Sequence, residues 1–530
     1  MSSAQATENG QKKLIQALRQ PRIYPHSTDA FAIVETHISW VILCGPFAYK
    51  IKKAVNLGFL DFSSLSQRKH YCGEELRLNR RLAPALYLEV VPITGTHEAP
   101  ALGGTGEAIE YAVKMRRFEQ DGLCDRMLSE NRLQVEHIDH IVETVAGFHQ
   151  RIRVAPAQTD FGNPPQVHAP VEENFAQIRQ MRPAGELHAL DAIEHWSRAT
   201  YERLRPVMVQ RKQRGCIREC HGDMHLGNMA WVDEALVIFD GIEFNENLYW
   251  IDVMSEVAFL CMDLEDHHRT DFAYHFLNGY LERTGDYEGL QLLRYYLVYR
   301  AMVRAKVAAI RSAQSDSDSA EAKNFSDYLH LARSYIQPRR PFVLLTHGLS
   351  GSGKSTFSAP LAERLGAIRI RSDRERQRLF GTVSGEQRGV GIDAGIYGLA
   401  STERTYGRLE ELTERIVQSG YSVIVDATFS RRTQRDPFRT LAQRLGCPLR
   451  ILSFQAPPET LHERVRARME TSHDVSEADL EVLEHQLSTS APLQTDELSC
   501  SRIVDTETRP DIDALASDIL AWQRDADETR

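Results

Sequence analysis

The sequence predicts a multi-domain chain, with an N-terminal α+β domain over residues 1–335 and a C-terminal α/β domain over 338–530 built on a parallel sheet. Three observations carry this expectation. The 530 residues exceed what one compact core usually holds. The N-terminal part mixes short β-like runs with helices, whereas after residue 341 apolar β-rich runs alternate with helical ones, the order of a parallel sheet covered on both faces. Between the two, IQPRRP (336–341) breaks a helix and precedes a new apolar strand, which sets the boundary.

The elements follow in order. FAIVETHISWVILC (31–44), FAYKIKKAV (47–55), YLEVVPI (87–93) and IEYAVKMRRF (109–118) are β-rich. RKHYCGEELRLNRRLAP (68–84) carries apolar residues at helical spacing and stops at Pro84, so a small sheet with one inserted helix is expected. From about residue 125 helices dominate, interrupted by the Pro- and Gly-containing stretch 155–170 and by a loop with strands around 215–242. The polar segment RSAQSDSDSAEAKN (311–324) reads as a flexible link. Beyond the boundary come PFVLLTHG, a helix from about 354, AIRIRSD, helices to 419, YSVIVDATF, a helix near 433–445, LRILSFQA, a long charged helix, SRIVDTE and a terminal helix.

A formal charge of −10 gives no support to nucleic-acid or membrane binding by the molecule as a whole, though local basic patches remain able to serve either. Eight irregularly spaced cysteines do not form a disulfide framework and fit a reducing, cytoplasmic location. The first twenty residues lack the apolar core of a signal peptide, and no run approaches the roughly 18 apolar residues of a membrane span.

Two motifs carry chemistry. Gly348-Leu349-Ser350-Gly351-Ser352-Gly353-Lys354-Ser355-Thr356 satisfies G-x-x-x-x-G-K-[ST], follows an apolar strand and opens a helix. Glycines let backbone N–H groups approach phosphate oxygens, the helix N-terminus adds its dipole, Lys354 brings charge to the β and γ phosphates, and Ser355 can ligate magnesium. The next strand ends IRSDRERQR, putting Asp373 at a carboxyl edge, where it can take an acceptor's proton or simply cap a helix. Asp426, ending VIVDATF, is placed to order magnesium or the base. Arg464 and Arg468 lie four apart on one helix face, suited to closing over phosphates or to facing water. Together these stretches resemble the P-loop kinase group of the P-loop NTPases that includes polynucleotide 5′-hydroxyl kinases, zeta-toxin-like kinases and gluconokinase-like enzymes. The resemblance spans about 341–510 and implies ATP, Asp373 as base, Arg376 as acceptor contact, and Arg464 and Arg468 as lid. The five arginines between 369 and 378 suit either an acceptor bearing phosphate or an exposed helix surface.

Upstream, HGDMHLGN (221–228) places Asp223 and Asn228 five apart, and Asp240 follows at the end of ALVIFDG. An aspartate for the acceptor hydroxyl, with Asn228 and Asp240 as hard oxygen ligands for magnesium, is the kinase-like reading. A zinc set of Cys216, Cys220, His221 and His225 is the competing one, without a spaced second pair. Strand alternation puts Lys50 and Lys52 on one face; we expect Lys52 to reach nucleotide phosphates, oriented by Glu75, with Glu74 as the other choice. HGDMHLGN, IFDGIEF and Asp252 resemble the aminoglycoside phosphotransferase family over about 30–300. This implies a two-lobed kinase-like fold, Asp223 as base, and Asp252 as support for its loop. Cys44-Gly45-Pro46 stands where a glycine-rich G-x-G-x-x-G is absent.

The expected function is a bifunctional ATP- and magnesium-dependent kinase with two hydroxyl acceptors, the first a small molecule. The alternatives are one domain regulating the other, or a C-terminal nucleic-acid 5′-end kinase.

Overall fold

The computed structural model describes residues 3–28, 31–56, 60–182, 188–314, 319–381, 399–471 and 480–528. It divides into two compact units, the first comprising Met1–Ala184, Arg198–Asp263 and Met302–Gln314, the second Gly185–Ser197, Leu264–Ala301 and Ser315–Arg530.

In the first unit, β1 (Phe31–Glu35), β2 (Ser39–Cys44), β3 (Phe47–Lys52), β4 (Tyr87–Gly95), β5 (Pro100–Leu102) and β6 (Ala108–Arg116) form an antiparallel sheet in the order β1-β2-β3-β6-β4-β5. The single run expected over 31–44 is therefore two strands, parted at Thr36, whose side-chain oxygen accepts from Ser39 N (3.0 Å) and closes the turn. The helix Leu65–Asn79 crosses this sheet. It starts at Ser64 in a reciprocal capping box with Gln67 and ends before Pro84 is reached. A helix not anticipated from its polar composition, Ser3–Ala17, buries Leu14 and Ile15, with Leu18 just after it, against Trp40, Ile42, Tyr49 and Ile51. The loop region brings β7 (Ile217–Glu219), β8 (Met229–Val232), β9 (Ala235–Ile238) and β10 (Trp250–Asp252), with β7 pairing β10 and β8 pairing β9.

The segment 311–324 is helical where described, at the end of Leu290–Gln314 and the start of Ser319–Ile336, which corrects the flexible reading there; residues 315–318 lie outside the description. After Ile336 the second unit alternates as expected: β11 (Val343–His347), β12 (Ile368–Arg371), β13 (Val423–Asp426), β14 (Leu449–Gln455) and β15 (Ser501–Asp505) are all parallel, ordered β12-β13-β11-β14-β15. Their apolar faces bury Leu344, Ile424 and Leu452 with Leu361, Leu515 and Ile519 from two flanking helices. The register sets Arg371 beside Asp426 and Leu345 beside Val425, so the carboxyl ends of β11, β12 and β13 share one edge. Among the described residues no helix is long and apolar enough to cross a membrane.

Candidate functional site

The first unit assembles its site on β3. Alternation sends Tyr49 and Ile51 into the apolar core and leaves Lys50 and Lys52 facing the helix Leu65–Asn79. That helix delivers Glu75, fully buried, to both: Lys50 Nζ lies 2.9 Å from Oε1 and Lys52 Nζ 2.6 Å from Oε2. Glu74 turns away to Arg77 at 2.7 Å. Lys50 also donates to Asp240 Oδ1 at 2.6 Å, whereas Lys52, only 1% exposed, bonds Glu243. Burial disfavours a charged Glu75, but the two ammonium groups prevail and hold it down at about 2. Burial pushes Glu243 up, Lys52 notwithstanding. The expected Lys52–Glu75 pair is present, yet Lys50 is the lysine that reaches the strand-end aspartate. Sequence reasoning missed Glu243; its signal was a lone acid between apolar Ile242 and Phe244.

The loop 220–228 is pinned from beneath. Gly222 has φ +90°, and a Cβ there would meet Leu248 O at 2.7 Å, so only glycine fits. Glu256, also missed, is buried and accepts from the N–H groups of His221 (2.8 Å) and Gly222 (2.6 Å), while its other oxygen meets His149 Nε2 at 2.8 Å. Asp252, expected to brace this loop, instead grips the buried Arg211 at 2.6 and 2.7 Å and accepts from Met254 N. It steadies β10 next to β7, the strand that leads into the loop; Glu256 holds the loop itself.

Asn228 Nδ2 donates to Asp223 O (2.9 Å) and Oδ2 (3.0 Å), which leaves the amide oxygen of Asn228 as an acceptor. Phe239 N donates to Asn228 O, so the β8–β9 hairpin brings Asn228 and Asp240 to the same end. Burial would raise Asp223, but His225 and His221 hold its carboxyl well below the usual range. His221 Nε2 meets Phe239 O at 2.9 Å and His225 Nδ1 accepts from Gly227 N, so both histidines shape the loop. The zinc set does not form: among the described residues, the group close enough to share an ion is His149, Cys220 and Glu256, and Glu256 already serves three hydrogen bonds.

In the second unit a cavity of about 540 Å³ gathers Gly351, Gly353, Lys354, Ser355, Thr356, Asp373, Arg376, Asp426, Arg464 and Arg468. Gly351, at φ +81°, runs so close to Leu461 O that a Cβ would lie 2.8 Å from it. Gly353, also left-handed, opens the helix Lys354–Leu365. Gly348 lies at the base of the loop, its N–H on Thr428 O, and the Ser352 side chain is buried beneath it. Lys354 donates to Leu349 O at 2.7 Å, and burial pulls its ammonium down to about 8 against the attraction of Asp426 and Asp373. Asp426 is buried and accepts from Ser358 Oγ at 2.9 Å.

Asp373 is not a helix cap: the capping position of Ser372–Phe380 is Arg371, with Asp373 one residue inside the first turn. Burial raises its carboxyl although Arg376 and Arg371 oppose it. Arg464 is tied rather than swinging free, bonding Gly351 O (3.3 Å) and Thr506 O (2.6 Å). In the arginine cluster Arg369, Arg371, Arg374 and Arg376 are partly buried, and two of them, Arg371 and Arg376, line the cavity. Arg369, Arg371 and Arg374 converge on Glu282, at 3.3, 3.1 and 2.7 Å.

These two geometries define the class: a kinase-like phosphotransferase domain followed by a P-loop kinase domain, together an ATP-dependent phosphotransferase. Residues 60–293 match the phosphotransferase enzyme family and 343–493 an AAA domain family. The chain is 31% identical over 459 residues to an uncharacterized protein of Mycobacterium tuberculosis, covering 86% of this chain and 89% of that one, and it belongs to the same family. A Mycobacterium bovis protein matches with the same figures. Among solved structures, a choline/ethanolamine kinase family protein from Mesorhizobium loti is similar at 12% identity and TM-score 0.37, over 61% of this chain and 95% of that chain. A sugar kinase from Janibacter sp. HTCC2649 is similar at 22% identity and TM-score 0.26, over 34% of this chain and 94% of that chain.

Proposed function

We propose that the protein is a bifunctional magnesium- and ATP-dependent kinase with two independent centres, one in each of the domains 1–335 and 338–530. The observation that carries this is that each unit contains its own full set of charged groups. Lys50, Glu75 and Asp240 stand with the Asp223–Asn228 pair in one, and Lys354, Asp373 and Asp426 share a cavity in the other.

In the first centre Asp223 takes the proton of a small-molecule hydroxyl as it attacks the γ-phosphorus, the bond to the β,γ-bridging oxygen breaks and ADP leaves; His225 and His221 keep this base ionised. Lys50, oriented by Glu75, meets the nucleotide phosphates, and Lys52 is the buried strut that Glu75 and Glu243 lock in place. The amide oxygen of Asn228 and the half-exposed carboxylate of Asp240 are a hard oxygen set that fits magnesium, which when bound neutralises phosphate charge.

In the second centre the backbone of Gly348, Gly351, Ser352 and Gly353, with Lys354 and Thr356, cradles phosphates. The Ser355 hydroxyl and Asp426 suit the same ion, and Arg464 and Arg468 face the transferring group. Asp373 serves as base for a second hydroxyl acceptor, with Arg376 beside it. With three of the five cluster arginines on Glu282, no specific feature favours a nucleic-acid end over a small molecule. All eight cysteines are free thiols, which supports a reducing cytoplasm.

The test is labelled γ-phosphate transfer to a metabolite pool and to 5′-hydroxyl oligonucleotides by Asp223→Asn and Asp373→Asn chains. Each change is expected to remove its own products by ~10²–10⁴-fold and spare the other's. One change abolishing all transfer while ATP still binds would show a regulator paired with one enzyme.

A further inference from the structure

Helix Thr270–Thr284 lies inside the segment that matches the phosphotransferase family, yet it belongs to the second compact unit and packs on the P-loop helix and edge strand. Three side chains on one of its faces, spaced three and four residues apart, do this. His275 Nδ1 meets Glu363 Oε1 on the helix after the P-loop at 2.7 Å. Asn278 accepts from Arg369 N (2.7 Å) and donates to Ala367 O (3.0 Å). Because β12 is the sheet's edge, this carboxamide pairs with backbone groups that have no neighbouring strand. Glu282 then collects three guanidinium groups, with Arg374 Nε at 2.7 Å, Arg371 at 3.1 Å and Arg369 at 3.3 Å, while its carbonyl accepts from Arg378 at 2.7 Å.

These contacts lead to the reacting groups. Arg371 immediately precedes the helix that carries Asp373 and Arg376, and it lines the same cavity. Arg369 reaches on from Glu282 to Ser355 O (3.3 Å) and Ser358 Oγ (3.5 Å), and Ser358 in turn bonds Asp426. One carboxylate thus ties the strand end bearing the base to the P-loop helix.

We propose that Glu282 is a positioning residue of the P-loop centre: by clamping Arg369, Arg371 and Arg374 it fixes where Asp373 and Arg376 stand relative to Ser355 and Asp426. This rests on the reading of Asp373 as the base. The P-loop domain is then completed by a side chain from the sequence of the preceding family, a physical reason for the two to be one chain. Glu282 is not among the residues that line the cavity, so its loss is expected to act on the geometry of transfer and not on nucleotide affinity.

The test uses the full chain carrying Asp223→Asn, with basal magnesium-ATP hydrolysis as the readout. Glu282→Gln is expected to lower kcat by ~10- to 100-fold. KM for ATP should stay within about twofold, the pattern of a lost positioning effect. Glu282→Asp, which keeps the charge, restores at least half the rate. Wild-type kcat in Glu282→Gln overturns the proposal, as does a parallel loss of kcat and ATP affinity that Glu282→Asp fails to rescue, which marks a packing role. Asp373→Asn in the same background separates the two ideas: if it leaves hydrolysis intact, the reading of Asp373 fails; if it abolishes hydrolysis while Glu282→Gln does not, only the role of Glu282 fails.

Discussion

Lys50, largely buried, and Lys354, buried, are the ammonium groups that we assign to nucleotide phosphates, but their surroundings differ. Lys50 rests on two carboxylates, Glu75 and Asp240, and is held above its ordinary range despite burial. Lys354 donates to neutral oxygens, Leu349 O and Ser352 Oγ, and burial brings it down to about 8. In the first, carboxylates already neutralise Lys50, so on our assignment nucleotide phosphate competes with Asp240 for it. In the second, the direct partners of Lys354 are neutral oxygens, so on our assignment phosphate brings it a countercharge that they do not supply. Two routes to the same chemistry therefore predict different responses to mutation and pH.

The largest contrast lies within β3. Lys50→Met should cost the first centre ~100-fold or more in kcat/KM, because its charge is aimed at the phosphates. Lys52→Met should instead show mainly as lost stability, since Glu75 and Glu243 are left buried with one partner fewer; ~3–5 kcal/mol in denaturant unfolding is the expected scale. Equal kinetic damage from both would put Lys52 back at the nucleotide.

Each unit also contains a fully buried arginine–carboxylate pair, Arg211–Asp252 and Arg435–Glu497, each closed by two hydrogen bonds. Asp252→Ala and Glu497→Ala should each cost ~3–5 kcal/mol by stranding an arginine. Each loss should be localised, the first to exchange protection around β7 and β10 and the second around the helix Arg432–Leu445.

The smallest effect is in pH. Below about pH 8 Lys354 keeps its proton with or without nucleotide, so affinity at the second centre is flat. Above that value the empty site loses the proton and must recover it on binding, so affinity falls as pH rises, approaching roughly tenfold per pH unit. The first centre, whose lysines stay charged, should hold its affinity across the same range; nucleotide titrations of Lys50→Met and Lys354→Ala chains at several pH values separate the two.

The residues we propose for the two centres were legible in the sequence where their chemistry is local. The glycine-lysine loop and the Asp223–Asn228 spacing each lie within fewer than ten consecutive residues, and alternation along β3 placed Lys50 and Lys52 on one face. What it hid depends on partners distant in sequence. Glu256 meets His221 and Gly222 from a later helix, Glu243 meets Lys52 across 191 positions, and Glu282 meets the arginines from outside the P-loop segment. Glu243, between Ile242 and Phe244, and Glu256, just before Val257-Ala258-Phe259-Leu260, left a trace, because a charge among apolar neighbours needs a partner when buried. Glu282, in GYLERT at a helix end, left none.

The central claim, two independent nucleotide centres in one chain, is tested most directly by binding stoichiometry. Equilibrium dialysis with a non-hydrolysable ATP analogue and magnesium should give two nucleotides per wild-type chain, one for Lys50→Met, one for Lys354→Ala, and none for the double variant. A wild-type chain that saturates with one nucleotide, or a single variant that loses all binding while still folded, would contradict it.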